Sequence, residues 1–406
     1  MKQVSLLFVQ VFLICAFSCT SNNKNHEPEI IERNVVYQED GYFLGWPSNN
    51  GIWMWEDGEI MVGFTRGRFV LLDGHHIGAP IHHIEPPYES WLARSTDGGF
   101  SWEVFIHEGF AGESPLILKD IMDPLNFKHK DFAMRVTGVG YHGTGLPEGG
   151  FFYSYNRGKN WEGPIPFNGL SQAEELKDLQ LTGRTEYIIE SNDSALFFMG
   201  ARDPLKGAGS EKAFLARTTD GGLSFEFLSW IGDRTTPSYA IMPTAAKTFS
   251  GKLVASVRKR DYKHNFIETN PNPYGWIDIY ASDDNGITWE FLCRAAETGP
   301  RNGNPPKLIQ LSDGRLCLVY GNREDTSRII ARFSFDEGKN WGPEIILREG
   351  NETDIGYPQM IQKEDGTLVT IYYWATSPVS EKYIESTIWD PGKNWGNPIY
   401  IKNFDK

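Results

Sequence analysis

The chain has few cysteines, no excess of basic residues and a single long apolar run. Its 406 residues include four cysteines, and 39 Lys and Arg stand against 53 Asp and Glu, which gives a net charge of −14. Because binding to phosphates needs basic surface, this charge argues against nucleic acid as a partner. No set of metal ligands accompanies the cysteines, so we expect neither a metal site nor a cofactor.

The one long apolar run lies at the start of the chain and is too short for a mature membrane anchor. Residues 4–17 are nearly all apolar, and Ala16-Phe-Ser18 precedes Cys19. This pattern predicts a signal peptide over residues 1–18 and resembles a bacterial lipobox, in which Cys19 is lipidated. A plain secretory signal is the alternative. The polar residues 19–34 are expected to form a flexible tether, so the protein is exported and contacts a membrane only through a lipid anchor, in the periplasm or at the cell surface.

The two cysteines beyond this segment are Cys293 and Cys317, and both lie in apolar, strand-like sequence. An exported protein can form a disulfide, but apolar contexts favour buried free thiols. We expect free thiols.

Glycine and aromatic residues are abundant, with 42 Gly and 14 % aromatics, which suits a turn-rich all-β fold. A short motif of the form S-x-D-x-G-x-x-W recurs along the chain in six full or degenerate copies. Their third positions are separated by 59, 64, 64, 52 and 54 residues, and those positions are Asp97, Asn156, Asp220, Asp284, Asp336 and Asp390. Such regular spacing indicates a structural repeat.

Turn chemistry explains one copy of the motif. The Asp binds local backbone N–H groups, the Gly two residues later adopts positive φ, and the Trp folds over the turn. Most repeats carry a second, upstream turn, such as Asp57-Gly58 or Asp365-Gly366. Each repeat is therefore predicted to be a four-stranded antiparallel unit, and six such units predict a six-bladed β-propeller over residues 35–406.

These motifs are Asp boxes, and the chain resembles the sialidase (neuraminidase) superfamily of six-bladed propellers with BNR repeats. Phrases such as Asp354-Ile-Gly-Tyr-Pro358 also resemble a group of sialidase-like lipoproteins of polysaccharide-degrading bacteria. The resemblance implies a pocket at the propeller centre, where three arginines bind a carboxylate, a Tyr paired with a Glu is the nucleophile, and an Asp transfers protons. A tyrosine nucleophile departs from the usual pair of carboxylates in glycosidases.

Tyr357 matches the nucleophile of this family, because it precedes the Asp of the last DG turn, Asp365, by eight residues. A packed core tyrosine is the alternative. Asp354, three residues earlier, is expected to share its site. Two family positions differ, since the first Arg falls on Ser48 and the Glu falls within Asn302-Gly-Asn304. These departures predict a retained scaffold with a rebuilt pocket and count against sialic acid as the substrate.

Other polar residues recur where inner strands meet the centre. Asp131 and Arg135, and likewise Arg184 and Glu186, are spaced to share one face of a strand. Asp131 and Glu186 are therefore candidates for proton transfer. Several arginines are candidates for binding an anionic group on a sugar, where guanidinium groups bind bidentately: Arg66, Arg135, Arg184, Arg258, Arg301 and Arg328. Arg260 stands beside Arg258, and Arg323 and Arg328 flank one loop, so both belong to the same pattern.

Two aromatic features complete the candidate set. Trp46 is a candidate sugar-stacking residue, and the loop His75-His76-Ile-Gly-Ala-Pro-Ile-His82-His83 follows an inner strand. This loop permits a metal site, but hydrogen bonding of His82 to sugar hydroxyls is the preferred interpretation.

Three functional hypotheses follow. The first is an exo-acting glycoside hydrolase of sialidase type that acts on an acidic or modified glycan. The second is a non-catalytic, glycan-binding lipoprotein that retains the scaffold. A polysaccharide lyase is the third. A carboxyl group within about 3 Å of the Tyr357 hydroxyl favours an enzyme, whereas an isolated Tyr357 behind bulky aromatics favours a binding protein.

Overall fold

The computed structural model describes residues 27–395 with internal gaps. The residues outside the description are 1–26, 71–83, 108–109, 111–117, 122, 139–147, 207–209, 233–238, 261–273, 301–302, 352–353, 378–379, 394 and 396–406. The predictions made for Cys19, His82 and Arg301 fall on these ranges and stay predictions.

The described residues form 25 strands and very little helix. In chain order the strands are β1 (Glu29–Tyr37), β2 (Tyr42–Gly45), β3 (Ile52–Met54), β4 (Ile60–Phe69), β5 (Ile84–Ser95), β6 (Glu103–Ile106), β7 (Ala133–Thr137), β8 (Gly150–Ser154), β9 (Glu162–Pro166), β10 (Gln180–Thr182), β11 (Tyr187–Ile189), β12 (Ala195–Arg202), β13 (Lys212–Thr218), β14 (Glu226–Trp230), β15 (Tyr239–Lys247), β16 (Leu253–Arg260), β17 (Gly275–Ser282), β18 (Glu290–Gly299), β19 (Pro306–Gln310), β20 (Leu316–Asn322), β21 (Ser327–Ser334), β22 (Ile345–Gly350), β23 (Gly356–Gln362), β24 (Leu368–Ala375) and β25 (Lys382–Asp390). One short α-helix, α1, spans Pro47–Asn50, and two 3-10 helices span Leu170–Gln172 and Glu174–Leu176.

The strands form six antiparallel sheets, which are the blades of a six-bladed β-propeller. In chain order the blades contain β2–β6, β7–β9, β10–β14, β15–β18, β19–β22, and β23–β25 with β1. Neighbouring inner strands contact one another, as β15 does with β19 and β19 with β23. The fold prediction is therefore confirmed. Among the described residues the second blade has three strands, and this is also the blade whose sequence has no clear upstream DG turn.

Strand β1 completes the last blade by pairing antiparallel with β25, so the two ends of the described chain close the ring. Arg33 strengthens this closure, because its Nε and Nη2 donate to the Leu347 carbonyl of blade five at 3.0 and 2.9 Å. The predicted start of the propeller at residue 35 is too late. Residues 29–34, predicted to be tether, belong to β1 because their backbone groups satisfy the edge of β25.

The Asp boxes form the predicted turns. In the first box Asp97 Oδ1 accepts hydrogen bonds from the Ser101 backbone N–H at 2.9 Å and the Ser95 hydroxyl at 2.8 Å. Gly99 has φ of 97°, a conformation that favours glycine, and Trp102 Nε1 donates to its carbonyl at 3.1 Å. The fourth and fifth boxes repeat the hydrogen bonds of the Ser and Asp around Asp284 and Asp336.

The order of strands in a blade separates two ends of the propeller. The DG turn joins the first and second strands, and the Asp box joins the third and fourth, so both kinds of turn lie at the same end. The start of each inner strand and the end of each second strand lie at the opposite end. That opposite end carries the candidate site.

Apolar side chains fill the spaces between blades. One cluster joins blade six to blade one and also includes Tyr239, Ile241 and Met242 from the inner strand of blade four. The inner strands of distant blades therefore meet at the axis. Cys293 and Cys317 are free thiols, as expected, and Cys317 is fully buried. Within the described ranges, no helix has the length and apolar character needed to span a membrane.

Candidate active site

In three blades a non-glycine residue with positive φ stands directly before a proline, within the inner strands β15 and β23 and directly after β2. These residues are Trp46, Met242 and Tyr357, with φ of 56°, 55° and 50°. Side chains rarely adopt this backbone conformation, and such strained residues are concentrated at functional sites. All three belong to the same buried cluster, and the Trp46 and Tyr357 rings lie 6.5 Å apart. The three blades thus direct one unusual residue each to the axis.

A bulge produces this geometry in two of the strands. The register of β15 against β16 shifts between Ile241 and Thr244, which brackets Met242. The register of β23 against β24 shifts between Gly356 and Gln359, which brackets Tyr357. Proline lacks the N–H that a regular ladder uses, so it is found at bulges. The bulges change the direction in which the preceding side chain points.

Tyr357 is the centre of the cluster and is 5 % exposed. Its hydroxyl accepts a hydrogen bond from Arg258 Nη1 at 3.0 Å, and its backbone N–H donates to Asn304 Oδ1 at 2.8 Å. Burial by itself raises the pKa of the Tyr357 phenol. The positive charges of Arg258, Arg323 and Arg260, together with the Arg258 hydrogen bond, outweigh burial and lower this pKa below its ordinary value.

Arg258 and Arg323 are held rigidly against the tyrosine. Arg258 Nη2 donates to the Gly303 carbonyl at 3.1 Å. Arg323 Nη2 donates to Asp354 Oδ1 at 2.9 Å and to the Tyr373 hydroxyl at 2.7 Å. The Tyr373 hydroxyl also donates to Asp354 Oδ1. Because these partners fix each guanidinium, little reorganisation is needed when a charged group binds.

A second group of charged residues lies beside the first. Arg184 and Arg260 flank Glu211, and the Arg260 guanidinium carbon lies 4.1 Å from the centre of the Tyr239 ring. Burial lowers the pKa of the Arg184 guanidinium, while the nearby Tyr357 and Glu211 oppose that shift. Arg184 is therefore electrostatically coupled to both halves of the cluster.

Within the described ranges, arginines are the most frequent charged residues of this cluster. Four arginines, Arg184, Arg258, Arg260 and Arg323, stand against the two carboxyl groups of Glu211 and Asp354. All four are nearly fully buried. Several guanidinium groups that converge on one site suit binding of an anionic group, because each can bind it in a bidentate geometry.

Five predicted site residues meet in this cluster, namely Tyr357, Asp354, Arg184, Arg258 and Trp46. Asp354 holds Arg323 and Tyr373 and does not bond to the Tyr357 hydroxyl. Among the described residues, the hydrogen-bond partner of that hydroxyl is Arg258 rather than a carboxylate. The arrangement expected of an enzyme, a carboxyl group within about 3 Å of the Tyr357 hydroxyl, is therefore not found among the described residues.

Asp131, a candidate for proton transfer, lies at the opposite end of the propeller, so the structure does not bring it to Tyr357. Its carboxylate accepts from Arg157 Nε at 2.7 Å, in the turn of the second Asp box. The same arginine pairs with Asp57 and Glu59 of the first DG turn, at 2.5 and 2.9 Å. The hydrogen bond and charge of Arg157 hold the pKa of Asp131 below its ordinary value. Arg157 therefore joins blades one and two, and Asp131 helps to hold it in place.

Glu186 lies on the axis in a narrow channel between the inner strands. Its carboxylate accepts from Lys307 Nζ at 2.6 Å and from the Thr244 hydroxyl at 3.0 Å. This places a salt bridge across the channel between blades three and five. Glu186 shares the channel lining with Arg184 and Met242 but has its own partners.

Three predicted arginines lie elsewhere. Arg66 pairs with Glu39 and Glu89, both at 2.7 Å, and lies over the Tyr42 ring. Arg328 is part-exposed and pairs with Glu349 at 2.6 Å. Arg135 is fully buried between blades one and two, where Nη2 donates to Asn50 Oδ1 and Ser90 Oγ, and burial lowers its pKa to about 9. The structure does not bring these three arginines to Arg258, because each is held by partners elsewhere in the ring.

The sequence pattern included Arg260 and Arg323 only as neighbours of the candidates Arg258 and Arg328, and it missed Glu211. Arg260 follows Arg258 by two residues in β16, so strand periodicity places both on one face. Arg323 directly follows β20, the second strand of blade five, just as Arg260 ends β16, the second strand of blade four. Glu211 directly precedes β13, and no sequence pattern distinguishes it from a surface acid.

The family comparison agrees with the fold. A family model described as a BNR repeat-like domain matches residues 152–370. No curated protein matches the chain.

Solved structures with the same fold have low sequence identity to this chain. A protein of unknown function from Dyadobacter fermentans DSM 18053 has a TM-score of 0.65 and 20 % identity, over 89 % of this chain and 99 % of that one. A Hadza microbial sialidase has a TM-score of 0.55 and 17 % identity, over 86 % of this chain and 65 % of that one. An alpha-L-arabinanase from Penicillium chrysogenum, complexed with arabinobiose, has a TM-score of 0.54 and 11 % identity, over 89 % and 99 %. At these identities the likeness shows a shared fold.

Proposed function

The chain belongs to the family of BNR repeat-like domains, and from this premise we propose that it is a glycoside hydrolase of sialidase type that acts on an anionic glycan. Tyr357 is the nucleophile in this proposal. The observation that carries it is the contact of the Tyr357 hydroxyl with Arg258, within a cluster that has four arginines and two carboxyl groups. Although the chain has a net charge of −14, the described residues bring four buried arginines together near the centre of the ring.

The charged surroundings suit both binding and chemistry. Guanidinium groups bind carboxylate or sulfate groups in a fixed, bidentate geometry, so they select sugars that carry such groups. The same positive charges stabilise the phenolate of Tyr357 relative to the phenol. A phenolate is a stronger nucleophile than a phenol. In this proposal the arginines activate the tyrosine hydroxyl, which in the resembled family is the role of a glutamate.

The reaction in this proposal proceeds through a covalent intermediate. The Tyr357 oxygen attacks the anomeric carbon, the bond to the leaving sugar breaks, and water later releases the glycosyl group. Trp46 and Tyr373, whose rings lie 6.5 and 5.9 Å from the Tyr357 ring, border the nucleophile. Tyr357 is 5 % exposed, so little of a glycan can reach it. The substrate in this proposal is therefore the end of a glycan chain, and the enzyme is exo-acting.

A non-catalytic glycan-binding protein is the second candidate. It is favoured by one specific observation, namely that the described residues place no carboxylate on the Tyr357 hydroxyl. In this alternative the arginines bind the same anionic sugar without cleavage.

Hydrolysis of a panel of aryl glycosides and acidic oligosaccharides distinguishes the two candidates. Wild type, Tyr357→Phe and Tyr320→Phe are compared. Tyr320 is the control, because its buried hydroxyl bonds to Glu344 at 2.9 Å, away from the arginine cluster. We expect wild type and Tyr320→Phe to release sugar and Tyr357→Phe to lose at least about 10³-fold in rate, as for loss of a nucleophile.

Other outcomes have definite meanings. Release of sugar by Tyr357→Phe at the wild-type rate contradicts the nucleophile assignment. If wild type releases no sugar but binds an acidic oligosaccharide in calorimetry, the glycan-binding protein is the correct alternative.

A further inference from the structure

Glu211 occupies a fixed place beside the arginine cluster although it precedes a third strand. Its backbone carbonyl accepts a hydrogen bond from the Ala240 N–H at 2.9 Å. Ala240 lies in β15, two residues before Met242, whose sulfur is 3.5 Å from Arg258 Nη1. The inner strand of blade four therefore holds Glu211 near the residues that contact Tyr357.

The Glu211 side chain is buried but incompletely bonded. It is 5 % exposed, and Tyr239 bonds to its carboxyl group. In the described part of the chain, Oε2 has no hydrogen-bond partner. A buried oxygen without a partner is unfavourable, so a hydroxyl or bridging oxygen of a bound sugar would stabilise it.

The direction in which the pKa of Glu211 is shifted agrees with this position. Burial raises the pKa of its carboxyl above the ordinary value, although Arg184, Arg260 and Tyr239 favour the ionised form. A raised pKa brings a carboxyl group closer to the range in which general acids transfer protons.

The other candidate acids have occupied side chains or a different location. Asp354 is bonded to Arg323 and Tyr373, and Glu186 is bonded to Lys307 and Thr244. Asp131 lies at the Asp-box end. Glu211 alone among these four carboxyl groups combines a position in the cluster with an oxygen that lacks a partner.

We propose that Glu211 is the residue that transfers protons in the reaction for which Tyr357 is the nucleophile, an inference that rests on the proposed function. In the first step the Tyr357 phenolate, whose proton has gone to solvent, forms a bond to the anomeric carbon. The glycosidic C–O bond breaks, its electron pair stays on the leaving oxygen, and that oxygen takes the Glu211 proton. In the second step water attacks the anomeric carbon, Glu211 takes a proton from the water, and the Tyr357 phenolate leaves.

The test compares two glycosides of the sugar released in the panel, one with 4-nitrophenol and one with methanol as the leaving group. An acidic phenol leaves without a proton, whereas an alcohol requires one. Glu211→Gln removes the proton and preserves size. We expect Glu211→Gln to cleave the methyl glycoside at least about 100-fold more slowly than wild type, and to form the glycosyl-enzyme from the nitrophenyl glycoside within about tenfold of the wild-type rate. Added azide is expected to restore turnover of the nitrophenyl glycoside by replacing the activated water.

Glu186→Gln is the matched control, because Glu186 is a buried, paired carboxylate outside the cluster. Any effect of Glu186→Gln is expected to be equal for the two glycosides. Glu211→Ala, with azide, provides a second variant, and circular dichroism confirms that both Glu211 variants fold.

Equal losses on both glycosides without azide rescue would overturn the proposal and assign Glu211 a structural role as partner of Arg184 and Arg260. Failure of wild type to cleave either glycoside would overturn the proposed function, and this inference with it. Activity of wild type together with full activity of Glu211→Gln on the methyl glycoside would refute only the role of Glu211.

Discussion

At the scale of single residues, the proposed nucleophile Tyr357 has a guanidinium, that of Arg258, as the partner of its hydroxyl instead of a carboxylate. A carboxylate partner removes the phenolic proton, whereas a guanidinium stabilises the phenolate after the proton has left. The Arg258 Nη1 donor is 3.0 Å from the Tyr357 oxygen, and Arg323 and Arg260 add their charge. In the proposed reaction, the reactivity of Tyr357 therefore depends on the positive charge around this oxygen.

Replacement of Arg258 by methionine is expected to raise the Tyr357 pKa. The variant Arg258→Met loses both the hydrogen bond and one of the charges that lower this pKa, and kcat/KM is expected to fall by about 10²–10³-fold, as for loss of one preorganised donor. An ultraviolet titration of tyrosine ionisation, with Tyr357→Phe as the blank, measures the pKa. Arg328→Met is the control, because Arg328 pairs with Glu349 at the surface. An unchanged Tyr357 pKa in Arg258→Met would refute the role of the guanidinium.

At the scale of elements, the Asp box is a local structure whose stability follows from its own residues. Asp284 accepts hydrogen bonds from the Thr288 backbone N–H at 2.9 Å, the Thr288 hydroxyl at 2.6 Å and the Ser282 hydroxyl at 2.8 Å. The Thr288 bonds contribute most to the lowering of its pKa to about 2. All of these partners lie within four residues, which explains why the sequence predicted the turns correctly.

Asp284→Ala is expected to lower the free energy of unfolding by about 1–2 kcal/mol near neutral pH, in the range for lost backbone caps. Because the folded pKa is lowered, the stabilisation is present above the ordinary pKa of 3.8 and is lost as the pH falls toward 2. Urea unfolding of wild type and Asp284→Ala is therefore expected to show a difference that shrinks below about pH 4. The neighbouring exposed Asp283→Ala is the control, with an expected change within about 0.5 kcal/mol. A difference that is constant with pH would contradict the assigned role.

Inner strands were less predictable than turns. The positive φ of Met242 and Tyr357 arises where a proline interrupts pairing with the second strand, and a sequence pattern of alternating apolar residues does not reveal the bulge. The bulge decides which side chain points to the axis. Tyr357 was predicted through its spacing to Asp365, whereas Met242 gave no signal of its role beside Arg258.

At the scale of the whole molecule, closure of the ring depends on β1. This strand supplies the outer edge of blade six, and Val36 is buried in the cluster between blades six and one. Without β1, the backbone groups of β25 at this edge lose their partners.

A chain that begins at residue 38 is expected to melt about 5–10 °C below one that begins at residue 27, because an entire strand pairing and its apolar contacts are lost. Differential scanning calorimetry of the two chains measures this difference. A chain that begins at residue 29 retains β1 and is the control, with a melting temperature equal to that of the longer chain. Equal melting temperatures for all three chains would show that β1 does not contribute to closure.

The sequence by itself determined the six repeats, their turns and the propeller, because these depend on hydrogen bonds and glycine conformations within a few residues. It also identified Tyr357, whose spacing to a local turn is fixed. Only the tertiary structure decided which charged residues meet. Arg258 and Tyr357 are 99 residues apart, and Lys307 and Glu186 are 121 apart, so their contacts exist only because inner strands of different blades surround one axis. The same closure sends Asp131 to the opposite end and brings Glu211 beside the arginines, since alternating strands end on alternating faces.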